Sequence, residues 1–524
     1  MLTVALRSQT SPPFLRLFAP VFALLAIAVT FLHHESFFAA PYHEEGDSAA
    51  NALQIERAKQ GRELHGNYSR FQFHHPGPAF FYCYALGEWV LHDVTRIAPA
   101  PRNAHVYAGA LLQLAFYAMA IALVARHARQ PLLVAGLAVA AGTLHLSHVD
   151  RVFFSIWPPD VLLMPFLCFI AACANVALDD RQTLPVLVIA GGFLVHGHVA
   201  QLLFVPTLAA IALGLGWRAG MRRPPLHRAS PAGALVLLAI FLLPLALDLL
   251  GGHASNANDI RLHLRYNSET GQTLWQAILC YVAYFAGLPD PSIFNELNAA
   301  AYAPLRERGW LLALWLAMLA IAVWRSCSPR RDDETAATAT PFLRRLLWFW
   351  VGGSVLTVVW AVRQEGGLTS FNSHFNHTLV HIIAFAFILA VSQWLRPLPR
   401  QLPALVAVAA VAAFALGVHY QPADDRRGDE VAARLPALLQ ADPKPAAAKL
   451  ITFPPDEWYE AVTLARALQR VGLTFYVDPE WRFMFGEDHV FTADPHAVAL
   501  SEWHVLRKQD APPGAHVLNR ICHV

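Results

Sequence analysis

Glu44, Glu45 and Asp47 crowd three carboxylates into four positions. Like charges this close resist ionising together, so at least one is placed to act as a base. A carboxylate base can take a proton from an acceptor hydroxyl as that hydroxyl attacks. Some twenty residues on comes Tyr68-Ser69-Arg70-Phe71, followed by His74-His75-Pro76-Gly77-Pro78. Arg70 offers a planar fork that suits phosphate. Tyr68, His74 and His75 add donors beside it. Each group also has a plainer reading. Asp47 is a good N-cap for a helix starting near Ser48. The Pro-Gly turn with its aromatics is common at a membrane boundary.

The surroundings decide what must hold these residues. Hydrophobic residues make up 56% of the 524-residue chain and charged residues 15%, with mean hydropathy +0.39. A soluble chain carries about a quarter charged residues. Apolar runs near 20 residues, separated by short Arg-bearing gaps, read as a multi-span α-helical membrane protein. Eleven spans are expected near 14–33, 104–125, 131–147, 158–178, 183–197, 199–217, 231–250, 309–325, 346–362, 377–394 and 402–419. The 183–217 stretch, with Gly191-Gly192 and His196-Gly197-His198, also reads as a broken or re-entrant pair. The N-terminal run lacks a small-residue cleavage site and is expected to stay as the first span.

Arg126, Arg129, Arg181, Arg218, Arg222, Arg223, Arg228, Arg325, Arg330, Arg331, Arg344, Arg345, Arg396 and Arg400 gather on one side of that arrangement. By the positive-inside bias this is the cytoplasm, and the N-terminus shares it. The loop 34–78 and everything after 420 then fall outside. Segments 79–92 and 273–288 do not fit as spans without inverting the Arg clusters, so they are expected to lie in the interface. From 421 the charge rises and Pro becomes frequent. Helical periodicity over 428–440 and 456–471, with β-like runs at 450–453, 473–477 and 516–518, predicts a small α/β domain over 421–524. The net charge of +2, scattered among loops, does not indicate a nucleic-acid partner. Six cysteines without a CxxC pair do not suggest a disulfide framework or a zinc site.

Histidines concentrate on the expected outer side, with His374, His377 and His381 on one helical face. Imidazole and carboxylate suit zinc or manganese, but there is no HExxH spacing, so a divalent metal is compatible without being indicated. Arg151, Arg261, Arg265 and Arg363 lie outside against the general bias. Such residues snorkel to headgroups or hold an anionic substrate. Arg363, beside Glu365 at the mouth of a span, is a second candidate for phosphate.

These features together resemble the GT-C class of membrane glycosyltransferases, typified by the aminoarabinose transferases and protein O-mannosyltransferases. Those families place an acid soon after the first span and a (Lys/His)-Pro-Pro turn further along the same loop. Asp47-Ser48-Ala49-Ala50 and His75-Pro76-Gly77-Pro78-Ala79 occupy the matching places. The paired Asp-Glu of those families is absent, so a second acid has to be Glu45 or Glu44. A nearer likeness is to bacterial members with a Tyr-Ser-Arg-Phe…His-Pro-Gly-Pro loop and a Trp-Asn-Pro motif before a span. Here the latter reads Trp157-Pro158-Pro159. The resemblance implies a polyprenyl-phosphate-linked sugar donor and a glycan, lipid or protein acceptor, at the outer face of a bacterial inner membrane. It implies inverting displacement, with Asp47 or Glu45 as base and Arg70 or Arg363 on the leaving phosphate. The interfacial helices 79–92 and 273–288 would frame a groove for the lipid tail.

Two other classes compete. O-antigen-type polymerases and ligases also combine many spans with an outer loop, but usually carry the large Arg/His loop between late spans. Transporters of lipid-linked glycans usually show mid-span charges and related halves, and neither stands out here.

Overall fold

The computed structural model describes residues 40–146, 152–221, 229–252, 255–266, 271–287, 302–328, 334–364, 368, 373–399, 401–417, 426–491, 500–506, 516–518 and 521–523. The expected span 14–33, together with His148, Arg151, His253 and Glu365, lies outside them.

The principal helices are α1 (Gly46–Lys59), α2 (Ala79–Glu88), α3 (Pro101–Ala125), α4 (Pro131–Leu146), α5 (Leu163–Val176), α6 (Leu184–Gly197), α7 (Gln201–Gly216), α8 (Ala229–Leu249), α9 (Asn256–Tyr266), α10 (Leu274–Ala283), α11 (Tyr302–Cys327), α12 (Glu334–Val362), α13 (Asn376–Ser392), α14 (Gln401–Gly417), α15 (Arg427–Ala441) and α16 (Trp458–Arg470). Among the described residues, six stretches are long and apolar enough to cross a membrane: 101–125, 158–176, 201–220, 230–249, 305–327 and 339–362. The expected spans at 131–147, 377–394 and 402–419 correspond to shorter apolar helices. The 183–217 stretch breaks at His198–Ala200 into α6 and α7.

The chain divides into two compact units. The first comprises 1–34, 110–243 and 262–420. Its interior is α5, all of whose residues are buried. By contrast α8 is equally apolar yet exposes Leu235, Val236, Ile240 and Leu243. An apolar helix with an exposed apolar surface belongs against lipid. A Cβ at Gly136 would lie 2.8 Å from the Ala407 backbone. Glycine is therefore what lets α4 and α14 approach this closely.

The second unit comprises 35–109, 244–261 and 421–524. The expected tail domain is thus joined in one compact unit by the first loop and a short central segment. Its sheet has the order β2-β1-β3-β5-β4, with β1 Ala448–Thr452, β2 Phe475–Val477, β3 Leu500–Val505, β4 His516–Leu518 and β5 Ile521–His523. β1 pairs in parallel with β2 and β3, while β5 pairs antiparallel with β3 and β4. The sequence patterns anticipated β1, β2 and β4 but not β3 or β5. α16 packs on α1, and Ala49, Ala50 and Leu53 share a core with Val431, Leu435, Ile451, Ala461, Leu464 and Trp503. Burying this surface at about 25 cal/mol per Å² makes the first loop part of the tail's core.

Asp442 anchors the sheet. Its carboxylate takes the Lys449 ammonium at 2.5 Å, with neither side chain exposed. It also accepts from Ser501 Oγ at 2.9 Å and Trp503 Nε1 at 3.0 Å. Burial opposes ionisation, yet Lys449 and the other donors hold the carboxyl at about 2.

Candidate active site

The segment leading into α1 is fixed by residues far away in sequence. Tyr42 N–H donates to Asn103 Oδ1 at 3.1 Å. His43 N–H donates to Asp429 Oδ1 at 2.9 Å, and the imidazole Nδ1 meets the same oxygen. Arg102 donates to the His43 carbonyl at 2.7 Å. The turn into the helix needs Gly46, whose φ is +48°. Its N–H donates to Thr463 Oγ1 at 3.0 Å, and a Cβ there would sit 2.1 Å from the Tyr459 ring.

The structure separates the three acids. Glu44 is 2% exposed and pairs with Arg470 at 2.7 Å and Arg466 at 3.6 Å, both on α16. Burial pushes its carboxyl up, but Arg466 and Arg470, with His105 further off, hold it down at about 2. Glu45 is 5% exposed. It occupies the N-cap of α1 with an extended backbone. Its Oε2 accepts the Gly428 N–H at 3.0 Å, and Arg102 lies 3.8 Å from Oε1. Ser48 Oγ accepts the Glu45 N–H at 3.0 Å.

Asp47 stands in the first turn, half-buried. The expectation that it caps a helix beginning near Ser48 is corrected. The helix begins at Gly46, because Gly46 can turn the chain through positive φ, and Glu45 takes the cap position. The Asp47 carboxylate accepts a hydrogen bond from the Tyr68 hydroxyl. A carboxylate in a helix's first turn is favoured by the helix dipole.

The stretch from Gly66 to Pro78 folds back over α1. Gln54 Nε2 donates to the Gly66 carbonyl at 2.9 Å and Asn67 Nδ2 to Asn51 Oδ1 at 2.5 Å. Tyr68 and His74 then bridge antiparallel. Ser69 N–H donates to the Phe73 carbonyl at 2.7 Å, and Gln72 takes a φ of +63°. The result is a small hairpin with Arg70 exposed at its tip.

His74 lies beneath this hairpin. Its backbone exchanges hydrogen bonds with the Asn256 side chain at 2.6 and 2.9 Å, its ring stacks on His65, and its Nδ1 faces the Gly66 carbonyl. Burial, then the neighbouring His65 and Arg57, push its imidazole down to about 3. It is therefore neutral at physiological pH and does not add positive charge for a phosphate. His75 is 8% exposed. Its N–H donates to the Asn67 carbonyl and its carbonyl accepts from Gly66 N–H, both at 2.8 Å. Pro76-Gly77-Pro78 feeds α2, which exposes Tyr82 and Leu86 and continues into a turn exposing Trp89 and Val94.

One unit thus brings together Glu44, Glu45, Asp47, Tyr68, Arg70, His74 and His75. Arg363 belongs to the other unit, exposed just beyond the end of α12. That unit also holds a buried group that sequence reasoning singled out only in part. Asp160 pairs with His374 at 2.9 Å, and His377 and His381 ring faces approach His145. Among the described residues no group of three or more His, Cys, Asp or Glu is arranged to hold a metal ion.

Sequence reasoning missed Arg466, Arg470, Gly428 and Thr463. A signal for Arg466 exists: it falls four residues after Val462, inside the apolar face of α16. A buried arginine there requires an acidic partner.

No protein-family model matches the chain, and no curated protein matches it. Among solved structures it is similar to ArnT from Cupriavidus metallidurans bound to undecaprenyl phosphate. The identity is 12%, covering 89% of this chain and 87% of that one, with a TM-score of 0.47. The apo state of the same enzyme matches at 13% identity, 90% and 88% coverage and TM-score 0.47. The archaeal oligosaccharyltransferase AglB from Archaeoglobus fulgidus, in complex with an inhibitory peptide and a dolichol-phosphate, matches at 12% identity. That match covers 86% of this chain and 64% of the other, with a TM-score of 0.38.

Proposed function

We propose that this protein is a membrane glycosyltransferase that moves a sugar from a polyprenyl-phosphate donor to an envelope acceptor at the outer face of a bacterial inner membrane. The observation that carries the reading is the division of labour among the acids. Glu44 is closed off by two arginines and Glu45 holds the helix cap, whereas Asp47 is the one that solvent reaches.

In the proposed step Asp47 takes the proton from the acceptor hydroxyl as its oxygen attacks the anomeric carbon. The bond from that carbon to the phosphate oxygen breaks with inversion. The polyprenyl phosphate leaves with the electron pair and needs no general acid. Arg70, exposed on the hairpin that carries Tyr68, is the preferred stabiliser of the departing phosphate. Arg363 is the alternative. The apolar faces of α2 and α10, with Leu86 and Trp89 on one stretch and Leu274 and Trp275 on the other, support helices that rest in the interface.

Mass analysis of envelope glycans and lipids from cells with and without the gene tests this reading. A sugar decoration lost with the gene, and not restored by Asp47→Asn, is the expected result. Accumulation of an untranslocated lipid-linked glycan would instead identify a transporter.

A further inference from the structure

Tyr68 is expected from sequence among the groups that touch substrate, yet its hydroxyl points to Asp47. We propose that Tyr68 is a positioning residue for Asp47, holding one carboxylate oxygen while the tail side chains Trp458 and Phe483 hold the phenol ring. The proposal rests on Asp47 being the base.

The geometry is built from three directions. The Tyr68 ring meets Trp458 edge-on at 6.5 Å and Phe483 at 6.0 Å between centroids. Its backbone is fixed by the bridge to His74, which Asn256 pins through both its N–H and its carbonyl. The hydroxyl then meets one oxygen of a short carboxylate side chain that has two rotatable bonds. Fixing a base within a few tenths of an ångström of its working position is where positioning residues earn their rate effect.

The phenol itself is a donor and not a competing base. Burial, then the Asp47 charge and its hydrogen bond, push its ionisation well above the usual tyrosine range, against the opposing pull of Arg70. Three other acids on the adjoining elements are engaged. Glu44 is held by Arg466 and Arg470, Glu45 by Gly428 with Arg102 near, and Glu460 by Arg427. The tail thereby contributes to catalysis without touching substrate. Trp458 and Phe483 support Tyr68, and Tyr68 supports Asp47.

Tyr68→Phe keeps the ring and removes only the donor. Membranes containing the variant are assayed with a panel of undecaprenyl-phosphoryl sugars, following release of undecaprenyl phosphate. The expected result is kcat lowered about tenfold with KM for the lipid donor unchanged. A raised KM with kcat unchanged overturns the proposal and returns Tyr68 to substrate contact. A second arm needs no turnover. Thermal unfolding midpoints of Tyr68→Phe, Asp47→Ala and the double variant are compared with the wild type. The two losses are expected to be less than additive, and strictly additive losses overturn the contact. Full activity of Asp47→Asn would sink the base assignment alone, leaving the unfolding arm to judge the pairing.

Discussion

Replacing Glu44 with Gln removes the charge that Arg466 and Arg470 share, while nearly preserving the side-chain volume. The Glu44 carboxyl is fully closed off and sits at about 2 against an ordinary 4.5. At 1.36 kcal/mol per unit, the ionised form gains about 3 kcal/mol on folding, and breaking a buried ion pair costs a similar amount. In a unit of about 200 residues, that corresponds to a fall in Tm of roughly 10 °C. The pH dependence follows the depressed value. The stabilisation is complete above 4.5 and is lost as pH falls towards 2, so Glu44→Gln should flatten the acid limb of the stability curve. The assay is thermal unfolding of purified protein in detergent, run alongside sugar transfer at a temperature where the variant stays folded. Glu44→Gln should melt early and still transfer sugar, whereas Asp47→Asn should melt normally and lose transfer by about 10²- to 10⁴-fold. An unshifted Tm combined with lost activity in Glu44→Gln would show that the wrong carboxylate has been chosen.

Other consequences are equally direct. Gly46→Ala meets both a positive φ and the Tyr459 ring, so unfolding should become easier by at least about 2 kcal/mol, read from Tm. Asp442→Asn leaves the buried Lys449 without its counter-charge and should cost about 3–5 kcal/mol, seen as faster proteolysis of the tail in otherwise intact membranes. Arg70→Ala should lower turnover of the lipid donor about 10²-fold or more if Arg70 faces the leaving phosphate, and Arg70→Lys should restore only part of it. A wild-type rate in Arg70→Ala would remove Arg70 from that role. Trp89 is exposed beside other apolar side chains, so its emission, taken as wild type minus Trp89→Phe, should be quenched by brominated lipid.

Much of the architecture was legible because its signals are local. Apolar length marked the helices of the membrane unit, and every expected span within the described residues has a helix. The break expected within 183–217 falls just after the His196-Gly197 end of α6. β3 and β5 escaped notice because short strands lack a distinctive period. The site was harder to read. Asp47 is met by Tyr68, 21 positions on, but the residues that close off Glu44 and Glu45 include Gly428, 383 positions from Glu45, and Arg466 and Arg470 further still. No spacing rule spans that distance.

Residue order is enough to show that the chain is built for a membrane, that three acids and an Arg-bearing, Pro-Gly-Pro loop lie together, and that the tail is a different kind of segment. Those facts follow from hydropathy, composition and turn chemistry, which act over a few residues. That the loop is part of the tail's core emerges from the folded chain. It alone showed that Glu44 is a buried counter-ion, Glu45 a cap, His74 a neutral support, and Asp47 the reachable carboxylate held by Tyr68. A carboxylate's role is set by what surrounds it in space, and for Glu44 and Glu45 those surroundings come largely from the other end of the chain.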